Sequence, residues 1–459
     1  MALGRRSGEQ QAMWVATTDV ARSPGHPFYD ALNRLLRDAD FDRRVEALCA
    51  PHYAKSGRPS VPPGVYYRML FIGYFEGIDS QRGIAWRCAD SLSLRDFLGI
   101  VPTARTPDHS TLTLIRQRLP LSIDEQVFQL VLELAAGEGL IDGKTIGVDA
   151  TLVEANAAMK TIVRKGTRED WRAFVTRLAK EQGVEIKDDE DLRRFDKTRK
   201  GKKTSNEEWE SSTDPDSRIM RMKDGTTHLS YKVEHAVDLE TGIVVAAAAH
   251  AGTASDGDTL KESVLTAQAN VEAAKPDAVV EEAVADKGYH KAETLAELAS
   301  WGVRSYVPER REKNQRRWTD KPEGHEAAFR ANRRRGRGAR SPALQRLRSE
   351  RVERTFAHAC ETGGGRRMWL RGLANVHRWH LVRIAGLNLG TILRARIGRG
   401  TPRGLADLSA SLSTLLNAVE RRLVAVRDAV ASLAVFPAEY RASFASASIN
   451  CRETPETPR

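Results

Sequence analysis

Seven consecutive apolar residues, Ile243–Ala249, form the longest uninterrupted apolar run of the chain. The run is far shorter than the ~20 residues a helix needs to cross a bilayer. It predicts a buried strand. His228–Asp238 alternates ahead of it, and Leu239-Glu-Thr-Gly242 reads as the turn between the two, so the pair predicts a hairpin. Strand-like sequence also begins at Thr145, and Ala278–Ala285 and Arg304–Val307 continue it. Helical patterns separate the later strands at Asp258–Ala274 and His290–Trp301. An antiparallel hairpin followed by strands joined through helices predicts an α/β fold with a mixed sheet.

At 459 residues the chain is long enough for two or three domains. Residues 1–125 read as a helical N-terminal domain. Within it, Pro62-Pro63 opens a helix with Val65, Met69 and Ile72 at helical spacing, further helices fall at Gly83–Arg95 and Asp108–Leu119, and Asp108-His-Ser-Thr-Leu112 offers several N-cap residues. Its arginines, Arg82, Arg87, Arg95, Arg116 and Arg118, suit either a DNA-reading helix or an ordinary packing domain. Residues 140–395 carry the α/β pattern, interrupted by a charged insertion at about 160–215 and a basic loop at about 308–341. Ser341-Pro342 then starts a helix, with Ser as N-cap and Pro at its first position. Residues 401–459 read as a helical tail whose end is disordered. Leucines and valines from Leu405 to Leu433 recur at spacings of 3 and 4 that alternate with one stutter, a seam that serves a second copy of the chain or its own domain.

The net charge of +11 is unevenly placed. Arg304–Arg403 holds 26 Lys and Arg against 8 Asp and Glu, so the rest of the chain is acidic. A basic region of this density is an electrostatic footprint for a polyanion, and nucleic acid is the expected partner. The start, Met-Ala-Leu-Gly-Arg-Arg, lacks the apolar segment of a secretory signal. Cys49, Cys88, Cys360 and Cys451 form no CxxC pair, which argues against a zinc ribbon or a disulfide framework. A cytoplasmic, nucleoid-associated protein is expected, with no membrane partner.

Three acidic residues stand in distinctive settings. Asp149 lies in the β-rich stretch Lys144–Val153, Asp286 ends an apolar strand in Val284-Ala-Asp-Lys-Gly-Tyr-His290, and Glu353 lies in the helical Arg351-Val-Glu-Arg-Thr-Phe356. Two strand-borne Asp and one helix-borne Glu are hard oxygen ligands of the kind that hold Mg²⁺ and work on phosphates. No spacing rule makes residues so far apart converge, and strand-end or capping roles would satisfy each of them separately.

The settings also carry a resemblance. Ile146-Gly-Val-Asp-Ala-Thr151, the hairpin Leu229–Asp238, Ala285-Asp-Lys-Gly-Tyr289 and the block Arg351–Gly372 occur in the order found in bacterial insertion-sequence DDE transposases. Residues 59–120 resemble the InsH-type N-terminal domain of those proteins. The resemblance covers about Pro59–Arg394. It implies an RNase H-like catalytic domain in which Asp149, Asp286 and Glu353 are the catalytic, metal-holding residues for two Mg²⁺ ions, with Mn²⁺ able to substitute. The implied activity is cleavage at the element's ends and strand transfer into target DNA. The partners would be terminal inverted repeats, target DNA and further copies of the chain. By position, Lys287, Arg351, Arg354, Arg366, Arg367 and Arg371 become expected phosphate contacts. Related transposases often place a basic residue seven positions after the Glu, and here that position is Cys360. Either Arg366 or Arg367 substitutes, or the chain is a catalytically impaired DNA-binding protein. A metal-dependent nuclease without strand transfer is a third reading. Lys232 and Asp238 are candidates for positioning or core-edge roles, His290 and His358 for DNA-facing or structural ones, and Trp369 for base stacking or core.

Overall fold

The computed structural model describes residues 16, 25–199, 206–310 and 318–404. The expected tail seam, Leu405–Leu433, lies outside the described residues. Among those described, no helix is long and apolar enough to cross a membrane.

Among the described residues, seven α-helices precede the sheet: α1 (Pro27–Asp38), α2 (Phe41–Cys49), α3 (Pro63–Phe75), α4 (Gln81–Asp90), α5 (Leu92–Phe97), α6 (His109–Arg118) and α7 (Leu121–Gly137). Local chemistry sets their starts. Pro63 occupies the first position of α3, and Asp108 caps α6 by accepting the Ser110 N–H at 2.9 Å. The helix expected over Gly83–Arg95 divides at Ser91, whose hydroxyl caps α5 on the Leu94 N–H. Arg68 is almost fully buried and ties four helices together. It pairs with Asp42 at 2.8 Å and donates to Asn33 Oδ1 and the Phe97 carbonyl. That satisfies a buried guanidinium with a charge and several acceptors.

The sheet holds β1 (Thr145–Glu154), β4 (Arg218–Arg221), β5 (Thr227–Asp238), β6 (Val244–Ala251), β7 (Glu282–Ala285) and β8 (Arg304–Tyr306). Its path is β4-β5-β1-β7-β8, with β6 also paired to β5. β5 runs antiparallel to β1 and β6, while β7 is parallel to β1 and β8 parallel to β7. The mixed sheet expected from the sequence is therefore present, and it agrees with an RNase H-like fold. The insertion between β1 and β5 adds α8 (Trp171–Glu181), α9 (Asp189–Thr198) and a small sheet of β2 (Ile162–Arg164) with β3 (Trp209–Ser211).

Helices α10 (Asp256–Ala274) and α11 (Ala292–Ser300) are the crossovers into β7 and β8. Adjacent residues of β5 point to opposite layers. Glu234 accepts from Thr259 and Ser263 of α10. His235 meets Thr355 of α13 (Arg340–Glu361) and His380 of α14 (Leu373–Ile397). Asn388 of α14 exchanges hydrogen bonds with the Val244 backbone, pinning the helix to β6.

Two expectations are corrected here. Part of the stretch expected as a basic loop folds as α12 (His325–Arg337). Ala328, Phe329 and Asn332 form a buried stripe amid its arginines, and Asn332 bonds both backbone groups of Val307. Ser341 was expected to cap the next helix. Instead α13 begins at Arg340, and Ser341 is buried within its first turn. The N-cap position falls on Ala339, whose side chain cannot accept a hydrogen bond.

The layer behind β5 predicts a pH effect. His235 Nε2 and His380 Nε2 lie 2.9 Å apart, His235 Nδ1 meets Thr355 Oγ1 at 2.8 Å, and Phe356 stacks on the His235 ring. Burial lowers both imidazoles, His235 to about 3. A depressed histidine contributes stability that is present above its unfolded pKa of about 6.5 and is lost as pH falls toward the folded value. Asp124, pushed up to about 7 by burial, works the other way in the same window, so the difference between proteins is the diagnostic. Between pH 7 and 5, His380→Gln should lose on the order of 1–2 kcal/mol less stability than the wild type. Parallel urea midpoints for the two proteins would count against this charge balance.

Candidate active site

Asp149 and Asp286 are brought together by the pairing of β1 with β7. Val148 is in register with Ala285, so the two carboxylates follow at adjacent positions of parallel strands. Asp149 sits opposite His235 on β5, on the face covered by α13. Its Oδ1 accepts the Ala150 N–H at 2.8 Å, and its Oδ2 accepts from Arg348 Nη1 at 2.6 Å. Burial raises the Asp149 pKa. Arg348 and the Ala150 N–H oppose that rise, and the charge on Asp286 adds to it. A like charge acting on Asp149 from Asp286 is the electrostatic sign of a shared site.

Asp286 caps the turn Lys287–Tyr289, its Oδ1 accepting the Gly288 N–H at 2.6 Å. Gly288 is required here. A Cβ would come within 2.8 Å of Asp286 Oδ1 and 2.6 Å of Asp256 Oδ2. Those two oxygens thus crowd one point, and Asp256 stands beside the pair. Lys232 Nζ reaches Asp256 at 2.7 Å and Thr259 Oγ1 at 3.1 Å. Glu234 beneath them accepts from Thr259 and Tyr289. Lys232 therefore belongs to a buried network under the carboxylates. Asp238 instead accepts the N–H groups of Asp142, Gly143 and Glu240 and holds a turn.

Glu353 is not gathered in. It is exposed and accepts from Ser349 Oγ at 2.9 Å on its own helix. Among the described residues, no three His, Cys, Asp or Glu side chains cluster closely enough to hold an ion. What α13 does present to Asp149 is Arg348, because Gly147 lets the helix lie directly on β1. A Cβ at Gly147 would meet Leu239 at 2.5 Å, Arg348 Cγ at 3.1 Å and Val352 at 3.2 Å.

The basic residues divide by place. Lys287 is exposed beside Asp286. The segment from Arg366 to Arg371 runs along the end of β1: Glu154 bonds the Arg366 carbonyl, Arg367 approaches Glu154 at 3.7 Å, and Arg371 donates to the Asn156 carbonyl. Arg354 pairs with Glu350 one turn away, and Arg351 lies against Gly242 in the β5–β6 turn. Burial raises the Cys360 thiol, and the opposing positive field comes from Arg366. His290 is buried against Phe329. Trp369 is partly buried against the core, with Arg116 over its ring.

An open groove of about 710 Å³ adjoins this cluster. Ala150–Leu152 and Asp256 form its floor, and Arg221, Lys223 and Arg310 line it. Sequence reasoning passed over these three cations and Asp256. The signal available was Arg221-Met-Lys223 beside the Asp224-Gly225 turn; nothing local marks Asp256.

Comparison with protein families returned two matches. A transposase DDE domain matches residues 210–389, and a transposase domain, DUF772, matches residues 18–118. No curated protein and no solved structure matches the chain.

Proposed function

Since the chain belongs to the DDE transposases of insertion sequences, we propose that it cuts DNA at element ends and joins the freed 3′-OH to target DNA, with Asp149, Asp286 and Glu353 as the catalytic carboxylates. The observation that carries this reading is the placement of Asp149 and Asp286 side by side on paired parallel strands. Their donor chemistry fits Mg²⁺ or Mn²⁺: two neighbouring carboxylates beside an open groove, the protein share of a site that water and substrate phosphates complete. When bound there, such ions supply Lewis-acid stabilisation of the phosphoryl oxygens and a more acidic water. The chain's own residues do the rest. Arg348 opposes the rise that burial imposes on the Asp149 pKa. Gly288 leaves space between Asp286 and Asp256 that a side chain would fill. Lys287 holds a phosphate beside Asp286; Arg366, Arg367 and Arg371 hold phosphates around the end of β1, Arg366 supplies the positive field at Cys360, and Arg351 and Arg354 engage DNA farther along α13.

The test uses the purified full chain and a duplex carrying the inverted repeat that flanks its reading frame. Mg²⁺ or Mn²⁺ should yield a cut strand with a 3′-OH and, with plasmid present, joined products; EDTA should abolish both. Cutting without joining would select a nuclease. A second reading, a DNA-binding protein that does not cut, draws support from Arg348 seated on Asp149 and from Cys360. Binding without cutting in either metal would select it. With six basic side chains on the backbone, the slope of log K against log salt should be about −5; a flat response would place the DNA elsewhere. Two ends cut together require more than one copy of the chain. A monomer on terminal DNA would refute that.

A further inference from the structure

Arg348 stands where the chemistry of the two aspartates calls for a cation. Asp149 and Asp286 lie at adjacent positions of paired parallel strands, and the Asp149 side chain is only 25% exposed. Neighbouring carboxylates, one of them drawn out of water, need positive charge beside them. Arg348 supplies it. Its side chain is 11% exposed, its Nη1 donates to Asp149 Oδ2 at 2.6 Å, and its Nε donates to Gln345 Oε1 at 3.2 Å. Gln345 is anchored in turn, donating to the Ala285 carbonyl at 3.1 Å and the Tyr306 carbonyl at 2.8 Å. A chain of hydrogen bonds that ends on β7 and β8 therefore holds the guanidinium over Asp149. Lys232 plays a different part, because it pairs with Asp256 at 2.7 Å.

This arrangement leaves Asp149 little to offer a second cation. Its Oδ1 already accepts the Ala150 N–H at 2.8 Å. A divalent ion on Oδ2 would sit at about 2.0–2.1 Å from that oxygen. The guanidinium nitrogen is already 2.6 Å from the same atom, and like charges so close oppose each other. The helix itself enforces the choice. Arg348 and Glu353 are five residues apart on α13, about 140° round a helix of 3.6 residues per turn. The face that gives Arg348 to Asp149 thus turns Glu353 to solvent, where Ser349 Oγ bonds it at 2.9 Å.

We infer, on the reading of Asp149 and Asp286 as a divalent-metal site, that Arg348 is a latch: a resident counter-ion that holds Asp149 in the metal-free chain and must release it before the site loads. Metal affinity is then set by an ion pair on α13 as well as by the carboxylates. The arginine is the partner to change. Its loss leaves Asp149 open to an incoming cation, whereas loss of Asp149 strands a buried guanidinium.

The experiment is a Mn²⁺ titration of the full chain without DNA, read by the electron-paramagnetic-resonance signal of the free aquo ion, which disappears on binding. Arg348→Gln should bind Mn²⁺ about tenfold more tightly than wild type, because one competing like charge is gone from a partly buried site. Arg348→Lys restores the charge and should return the affinity to within about twofold of wild type. Adding Asp286→Asn to Arg348→Gln should erase the gain, which assigns it to this site. Urea midpoints in EDTA report the folding of each variant. A second measurement needs no variant: saturating Mn²⁺ should speed phenylglyoxal modification of Arg348 in wild type severalfold, located by peptide mass. Arg348→Gln binding no tighter than wild type, a gain that survives Asp286→Asn, or unchanged Arg348 reactivity would each overturn the latch. The two readings fail separately. Tight wild-type binding that Asp286→Asn abolishes, with Arg348 unreactive, keeps the metal site and removes the latch. A tightened Arg348→Gln that cuts no DNA keeps the latch and removes the proposed cleavage.

Discussion

Asp286→Asn should reduce metal-dependent strand cleavage about a thousandfold, the several kcal/mol that ion-held charge stabilisation contributes to such a transition state. DNA affinity should stay within about twofold of wild type, because the backbone is held mainly by cations elsewhere. Asp286 is a cleaner test than Asp149. An asparagine oxygen can still accept the Gly288 N–H that Asp286 Oδ1 accepts at 2.6 Å, so the turn Lys287–Tyr289 is kept and only the charge is lost. Asp149→Asn also breaks the 2.6 Å pair with Arg348 and would unseat α13 along with the charge. A fall of less than tenfold in Asp286→Asn cleavage would remove Asp286 from the catalytic set.

Gly147→Val should destabilise the protein by about 1–3 kcal/mol, the usual cost of overpacking a close contact, and should also abolish cleavage under conditions where the fold persists. The contact concerned is that of α13 with β1. A Cβ at Gly147 would stand 2.5 Å from Leu239 Cδ2, a separation that real Cβ atoms do not show, and would press on Arg348 and Val352 at 3.1 and 3.2 Å. Relief comes from Leu239 shifting its side-chain end and from α13, which carries both Arg348 and Glu353, giving way by a few tenths of an ångström. Gly137→Ala is the control. Nothing lies within 4 Å of its Cβ position at the end of α7, and alanine is the better helix former by up to about 1 kcal/mol. Urea melts and cleavage assays on both variants decide the matter. A Gly147→Val protein as stable and active as Gly137→Ala would show that the helix does not rest on that glycine.

Several parts of the molecule were legible from short-range pattern. The apolar run before Ala249, the alternation up to Asp238 and the glycine turn between them all lie in one hairpin. Pro63 opens α3, and Asp108 is the one that caps α6 among the several N-cap candidates that the sequence offered there. The misreadings share a cause. The arginines of α12 masked a buried stripe of Ala328, Phe329 and Asn332, because composition is averaged over a segment while burial is decided by one face of a helix. Asp256 and Arg348 gave no local signal. Each matters through a partner distant in sequence: Asp256 through Lys232, and Arg348 through Asp149.

The sequence alone determined the order of the main strands and of the two helices that join the later ones, the strand settings of Asp149 and Asp286, and the uneven distribution of charge. These follow from periodicity and composition, which act over a few neighbouring residues. Only the tertiary structure decided which groups meet. Parallel register between β1 and β7 sets the two aspartates side by side, and close packing over Gly147 turns Arg348, and not Glu353, toward them. Such meetings depend on hydrogen-bond register and side-chain volume summed across the whole domain, and no stretch of sequence contains both partners.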